Sequence, residues 1–219
     1  MQISGIILLF VYSINLFIPG SKESGNDNDI KQLWHDCNLE EFVSIDVFSI
    51  AIQGFRKIED IKNKKIITII DFSKPSTEKR FYVIDLFTKK LIYNSFVAHG
   101  KNSGENFAKI FSNELSSMKS SLGFYLTAET YSGKNGYSLK LDGLEKGIND
   151  RARTREIVIH GAQYVSEQFI KKYGRLGRSW GCPVLPVENL KDVIDKISNG
   201  SCLFIYGDDD YYRENSAFI

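Results

Sequence analysis

The sequence has no excess of charge of either sign: 28 Lys and Arg stand against 27 Asp and Glu in 219 residues. No global field draws such a chain to nucleic acid or an anionic membrane, so partner choice falls to local pockets. It has no internal repeat, which excludes solenoids and arrays, and no low-complexity segment beyond one short polar stretch. No group of Asp, Glu, His or Cys has metal-ligand spacing; the run Asp208-Asp209-Asp210 reads as a solvated tail, and no metal or cofactor is called for. Cysteine is scarce and odd in number, with Cys37, Cys182 and Cys202 only. At least one thiol must therefore stay free or pair with another chain. Cys202 lies in the apolar run Cys202-Leu203-Phe204-Ile205-Tyr206 and is expected to pack as a small hydrophobe, with a bridge to Cys37 as the alternative. Cys182 is left as the candidate reactive thiol.

The first twenty residues carry no charged side chain, and Ile6 to Ile18 is almost wholly apolar. That run is too short and too broken by Ser13 and Asn15 to span a bilayer, which takes roughly 20 apolar residues. Residues 1–20 are expected to be a secretory signal peptide, with an uncleaved anchor as the alternative. There is no twin-arginine pair, and no Cys follows the run to take a lipid. Residues 21–29 are expected to be a polar linker, and 30–219 one domain, since 42% hydrophobic residues suit a single core.

Apolar spacing between Ile30 and Ile61 predicts two short helices, with Asn38 or Ser44 available as caps. Strands are predicted at Ile66–Phe72, Arg80–Leu86, Lys90–His99, Ser121–Ala128, Tyr137–Asp142, Arg155–Gly161 and Cys202–Gly207. Ser132-Gly133-Lys134-Asn135-Gly136 reads as a hairpin turn. A helix over about Glu188–Ile197 precedes the last strand. Many short strands with few helices imply a mainly β domain, a β-sandwich or distorted barrel.

The chemistry concentrates at Ser179-Trp180-Gly181-Cys182. A free thiol is only a few per cent thiolate at neutral pH and needs a base or cation beside it. His160 ends the β-branched run Ile157-Val158-Ile159, a stiff strand suited to presenting an imidazole. Gly181 allows unusual backbone dihedrals, so amides near the sulfur can face a substrate carbonyl. Arg175 and Arg178, in the Gly-rich loop before the thiol, favour thiolate or bind a substrate carboxylate. His99, in Val97-Ala98-His99-Gly100, mirrors Val158-Ile159-His160-Gly161 and is either a second, substrate-binding residue of the site or structural. Trp180 covers the thiolate, packs on substrate or is purely structural; Gly161 is expected among the substrate-binding residues; and Ser179, counted with the catalytic group, supports the loop by hydrogen bonding or touches substrate. Glu129, Asp142, Glu145 and Asp150 lie in turn-rich sequence and are expected to be solvated.

A strand ending in His-Gly, an intervening loop and then Ser-x-Gly-Cys resembles the L,D-transpeptidase catalytic domain, and Ser-Trp-Gly-Cys-Pro resembles the branch called murein L,D-transpeptidase catalytic domain family proteins. The likeness runs from about residue 40 to 207 and takes in Ile70–Ser76, Ala98–Gly104, Phe111–Asn113, Ser121–Gly123 and Arg155–Ala162. It implies Cys182 as nucleophile, His160 as its base and Gly181 in the oxyanion site. It also implies peptidoglycan stem peptides as acyl donor and amine acceptor, with a 3-3 cross-link as product and the periplasm or cell envelope as location; a monomer is expected. Water as acceptor makes the enzyme an L,D-carboxypeptidase. An inactive cell-wall binding or scaffold domain is the reading from another class; a papain-like protease is disfavoured because His160 precedes Cys182. The chain departs from the commoner pattern at Trp180, where His usually stands, and at Val184, where Arg is usual.

Overall fold

In the computed structural model, which describes residues 23–219, two helices precede a single sheet. Helix α1 spans Glu23–Asp36 and α2 spans Ile45–Lys57. The polar stretch expected as a linker thus enters α1 at Glu23, and the helix it begins is anchored further on by the buried Ile30. The apolar run expected to direct export lies outside the described residues. Of the two candidate caps, Ser44 starts α2 by accepting from the Val47 amide at 3.3 Å, with Asp46 in the first turn and Arg56 and Lys57 in the last. Val47, Phe48, Ala51 and Ile52 form its buried stripe.

The strands are β1 (Ile66–Asp71), β2 (Phe81–Asp85), β3 (Lys90–Ser95), β4 (Gly123–Gly133), β5 (Gly136–Gly143), β6 (Val158–Gly161), β7 (Val184–Leu185) and β8 (Cys202–Tyr206). They are ordered β3-β2-β1-β8-β4-β5-β6-β7. β1 is buried throughout and pairs antiparallel with β2 and parallel with β8, as its unbroken β-branched run requires. β4 and β5 close a hairpin at Gly133 and Gly136, leaving Lys134 and Asn135 as its two-residue loop.

Beyond β3 the chain returns to the other edge of the sheet. Ala98 bridges Val184: the Ala98 amide donates to the Val184 carbonyl at 2.8 Å, and the Ala98 carbonyl accepts from the Val184 amide at 3.2 Å. Val184 also pairs in parallel with His160. The sheet is therefore a nearly closed barrel rather than a two-sheet sandwich. The predicted strand Lys90–His99 ends early, at Ser95, because residues 96–100 turn to make this closure.

Packing is led by aromatics: Phe124 and Phe204 stack with centroids 4.3 Å apart. A Cβ on Gly54 would stand 2.1 Å from the Phe124 ring, so only glycine lets α2 seat on β4 there. Two further helices flank the closure: α3 (Glu167–Tyr173), capped by Ser166 and ended by Gly174 at φ 71°, and α4 (Leu190–Ile197), which buries Leu190, Val193, Ile194 and Ile197. All three cysteines are free, with Cys37 and Cys202 buried.

The acidic end of the chain corrects two expectations. Asp209 caps a last helix, α5 (Asp210–Asn215), by accepting from the Tyr212 amide at 2.8 Å, so this segment is folded rather than a tail, although Asp208 and Asp210 are solvated as expected. Glu145 is 1% exposed; it accepts from the Phe124 amide at 2.7 Å, from the Tyr212 hydroxyl at 3.3 Å and from Ser216 Oγ. Burial raises this carboxyl above its ordinary range despite those donors. Glu145→Ala is expected to cost about 2–4 kcal/mol, since it leaves the Phe124 amide and the Tyr212 hydroxyl without an acceptor. Urea unfolding of the variant measures it.

Candidate active site

Strand β6 ends at His160, and the loop that precedes β7 carries Cys182. Because β6 and β7 run parallel with His160 opposite Val184, Cys182 comes to lie beside Val158. The Val158 amide points at the sulfur at 3.5 Å, and the thiol faces the Glu156 carbonyl at 3.6 Å. Cys182 and His160 line one cleft of about 920 Å³, together with Ser179, Trp180, Arg178, Arg155 and Tyr164. The β4–β5 hairpin forms its far end with Tyr131, Lys134 and Lys140.

His160 is 7% exposed, and its Nδ1 lies 3.2 Å from the Gly161 carbonyl. A carbonyl only accepts, so Nδ1 carries the proton and the Nε2 lone pair is left for the cleft. Burial lowers the imidazole below its ordinary value, offset in part by the Gly161 bond, and burial raises the Cys182 thiol. Both shifts disfavour charge, so the resting pair is a neutral thiol and a neutral imidazole. The Val158 amide and the Arg155 guanidinium act in the opposite sense and favour thiolate.

The loop holds its shape through Ser179, whose hydroxyl donates to the Cys182 carbonyl at 2.6 Å and accepts from the Gly181 amide at 3.0 Å. Ser179 is thus committed to the turn, as its sequence context predicts. The Gly181 amide, expected in the oxyanion site, is committed too, whereas the Val158 amide and the backbone of Cys182 itself bear on the sulfur. Gly181 has φ 129°, and a Cβ there would lie 2.8 Å from the Lys119 carbonyl, so both conformation and space require glycine.

Other expectations divide. Trp180 stands on the rim, 74% exposed. Arg178 lines the cleft while its Nη1 binds the carbonyls of Lys101 at 3.2 Å and Gly104 at 3.1 Å and Glu105 at 2.6 Å. Arg175 pairs with Glu105 at 2.9 Å, and among the described residues neither it nor Gly161 lines the cleft. His99 does not line it either: it is fully buried, taking a hydrogen bond on Nδ1 from Arg80 at 2.8 Å and donating from Nε2 to the Gly104 carbonyl at 3.2 Å. Burial and the Arg80 charge push its imidazole down to about 3. The likeness of its sequence to that of His160 does not extend to its setting: His99 lies between two isolated bridges with Arg80 against it, whereas His160 is in β6 and lines the cleft. Val184, where the commoner pattern has Arg, is a buried closure residue. Glu129 and Asp142 are surface groups, as expected, that hold Arg153 at the cleft wall.

Two residues of the site went unread in the sequence. Arg155 reaches under the loop that carries Cys182 from the lead-in to β6, and Ser120 donates to the Gly181 carbonyl at 3.1 Å while accepting from the Gly100 amide at 3.0 Å. A cation heading a β-branched run was the only available sign of Arg155.

No curated protein sequence matches the chain. Among solved structures it is similar to an L,D-transpeptidase from Mycobacterium smegmatis (12% identity, TM-score 0.40, covering 65% of this chain and 59% of that one). It is also similar to L,D-transpeptidase 3 from Mycobacterium tuberculosis in complex with a faropenem-derived adduct (10%, 0.42, 65% and 60%). A third is an L,D-transpeptidase from Stackebrandtia nassauensis (14%, 0.39, 89% and 83%). The chain spans about three fifths of the length of the two mycobacterial structures. A sequence profile of the L,D-transpeptidase catalytic domain matches residues 39–206, which takes in the barrel, Cys182 and His160. With that match running over most of its length, the chain belongs to the L,D-transpeptidase catalytic domain family.

Proposed function

We propose that this protein is a peptidoglycan L,D-transpeptidase working through a Cys182 thioester. The observation that carries the reading is that Cys182 and His160 share one cleft with the His160 Nε2 lone pair unclaimed. His160 takes the thiol proton as the sulfur attacks the carbonyl of the third residue in a stem tetrapeptide. The oxyanion is met by the Cys182 amide, one such donor being worth about 3 kcal/mol. Collapse breaks the C–N bond, and His160 returns the proton to the leaving amine of the terminal D-alanine. An amine of a second stem then loses its proton to His160, attacks the thioester and expels the thiolate, leaving a 3-3 cross-link. Arg178, partly exposed in the cleft wall, is the group we assign to a stem carboxylate, in place of the charge that Val184 lacks. An exported protein of the cell envelope follows from the substrate and from the apolar run Ile6–Ile18.

Incubation with disaccharide tetrapeptide and mass spectrometry tests this. A cross-linked dimer with loss of D-alanine is expected from the wild type and no product from Cys182→Ala. Release of D-alanine without dimer would make the enzyme a carboxypeptidase; no wild-type product, together with no carbapenem adduct on Cys182, would sink the enzymatic reading.

A further inference from the structure

Arg155 is half-buried beneath the catalytic loop, and its guanidinium holds four groups of a single neighbouring segment. Nη1 donates to the Ser112 carbonyl at 2.7 Å and to Ser121 Oγ at 2.5 Å; Nη2 donates to the Lys119 carbonyl at 2.6 Å and to Ser117 Oγ at 3.2 Å. That segment is the floor of the loop. The Lys119 carbonyl is what a Cβ on Gly181 would strike, and Ser120 ties the Gly181 and Gly100 backbones together. The position of such a Cβ is also only 3.3 Å from Arg155 Nη2, so the cation lies directly under the residue before the nucleophile. Three residues beyond Arg155, at the start of β6, the Val158 amide points at the Cys182 sulfur.

We propose that Arg155 is a positioning residue for Cys182: its fork clamps the segment Ser112–Ser121 under Gly181 and fixes a positive charge facing the sulfur as it ionises. The inference rests on the reading of Cys182 as nucleophile. The charge has few competitors. Glu156 is the one acidic side chain lining the cleft, and it opposes thiolate; Tyr164, on the other wall, is pushed up to about 12 and stays neutral. His160 is held neutral by burial, and Arg153 is neutralised by Glu129 and Asp142. Lys140 pairs with Glu129, Arg178 pairs with Glu105, and Lys134 stands at the far end of the cleft on the β4–β5 hairpin. Glu114 and Tyr125 are the other titratable groups felt by Arg155, and Tyr125 is buried and neutral. Lysine does not substitute, because one ammonium cannot span two carbonyls and two hydroxyls in the geometry of a planar fork.

The test is the pH dependence of iodoacetamide alkylation of the full chain, with the modified cysteine located by peptide mass; Cys37 and Cys202 are buried and do not compete. An opposite charge at this range moves a titration by about 1–3 units. The alkylation midpoint of Arg155→Met should therefore rise by about one pH unit or more, a tenfold or greater drop in rate at neutral pH, with Arg155→Lys in between. Ser117→Ala and Ser121→Ala, which remove neutral partners, should lower the melting temperature and leave the midpoint within a few tenths. An unmoved midpoint in a folded Arg155→Met overturns the proposal. If that variant does not fold, an unmoved midpoint in Arg155→Lys overturns it equally. Failure of Cys182 to alkylate in the wild type would instead overturn the nucleophile reading, so the two failures are distinguishable.

Discussion

His160→Ala is expected to slow acylation of Cys182 by roughly 10²–10⁴-fold, the usual span of general-base catalysis. The measurement is the rate of adduct formation with a carbapenem as a function of pH. In the wild type, burial holds the imidazole below 6.5, and only its neutral form accepts the thiol proton. The rate should thus stay flat on going down to 6.5 and fall only at lower pH. In the variant the sole route to thiolate is ionisation to solvent from a thiol raised by burial. Its residual rate should therefore climb tenfold per unit through the neutral range, with no acid limb near the wild-type one. A variant within tenfold of the wild type, or one that keeps the wild-type profile, would remove His160 from the base role.

Arg80→Ala should produce the largest loss of stability in the molecule outside wholesale core deletion. Arg80 is fully buried in the barrel; Nε and Nη2 donate to the Val97 carbonyl at 3.1 and 3.0 Å, Nη1 to the Lys74 carbonyl at 2.7 Å, and Nη2 to His99 Nδ1 at 2.8 Å. The guanidinium also lies 4.9 Å from the centre of the Phe72 ring. Removing it orphans three acceptors and leaves a cavity, at a cost of about 3–5 kcal/mol. That is a large share of the roughly 5–15 kcal/mol available to a domain. Urea unfolding measures it, and the pH dependence carries a second signature. In the wild type His99 titrates at about 3 folded against 6.5 unfolded, so the unfolded chain binds the extra proton in that window and stability falls as pH drops through it. Without the Arg80 charge, folded His99 takes its proton at higher pH and the variant loses less over the same window. The gap between the two proteins should narrow below pH 6.5; a gap under 1 kcal/mol at neutral pH would contradict this account.

The long-range effect of that loss would reach the loop that carries Cys182. The His99 carbonyl accepts from the Ser179 amide at 2.9 Å, so the stretch that Arg80 pins is also one anchor of the catalytic loop. His99 thus belongs to the site through its backbone, although its side chain does not.

The sequence exposed those parts of the molecule whose cause is local. β1 and β8 were legible because buried strands must be apolar on both faces, and the β4–β5 turn because its glycines sit where a two-residue loop needs them. Cys182 and His160, which the fold brings to one cleft, could be singled out because their chemistry resides in the side chains and their neighbours. β7 escaped because two residues have no period; only the partners on both sides, Ala98 and His160, make it a strand. α3 carried its own signals, Ser166 and Gly174, but buries none of its residues, so hydrophobic spacing could not find it. Arg155 and Ser120 act mainly on backbone groups of other loops, the Gly181 carbonyl lying 61 positions from Ser120. Glu145 looked solvated because its burying partners, Tyr212 and Ser216, come from a helix about 70 residues later.

The barrel closure bears on which changes the catalytic loop can absorb. Ser179 is held against Gly100 at one end, and Val184 is locked between Ala98 and His160 at the other. Inserting or deleting one residue between them would turn the side chains that follow to the opposite face of the seam, since strand side chains alternate. Variation in this stretch is therefore confined to substitution at fixed length. Gly181 is barred by its φ and by the Lys119 carbonyl, which leaves the outward-facing Trp180 as the position free to diversify without displacing the sulfur.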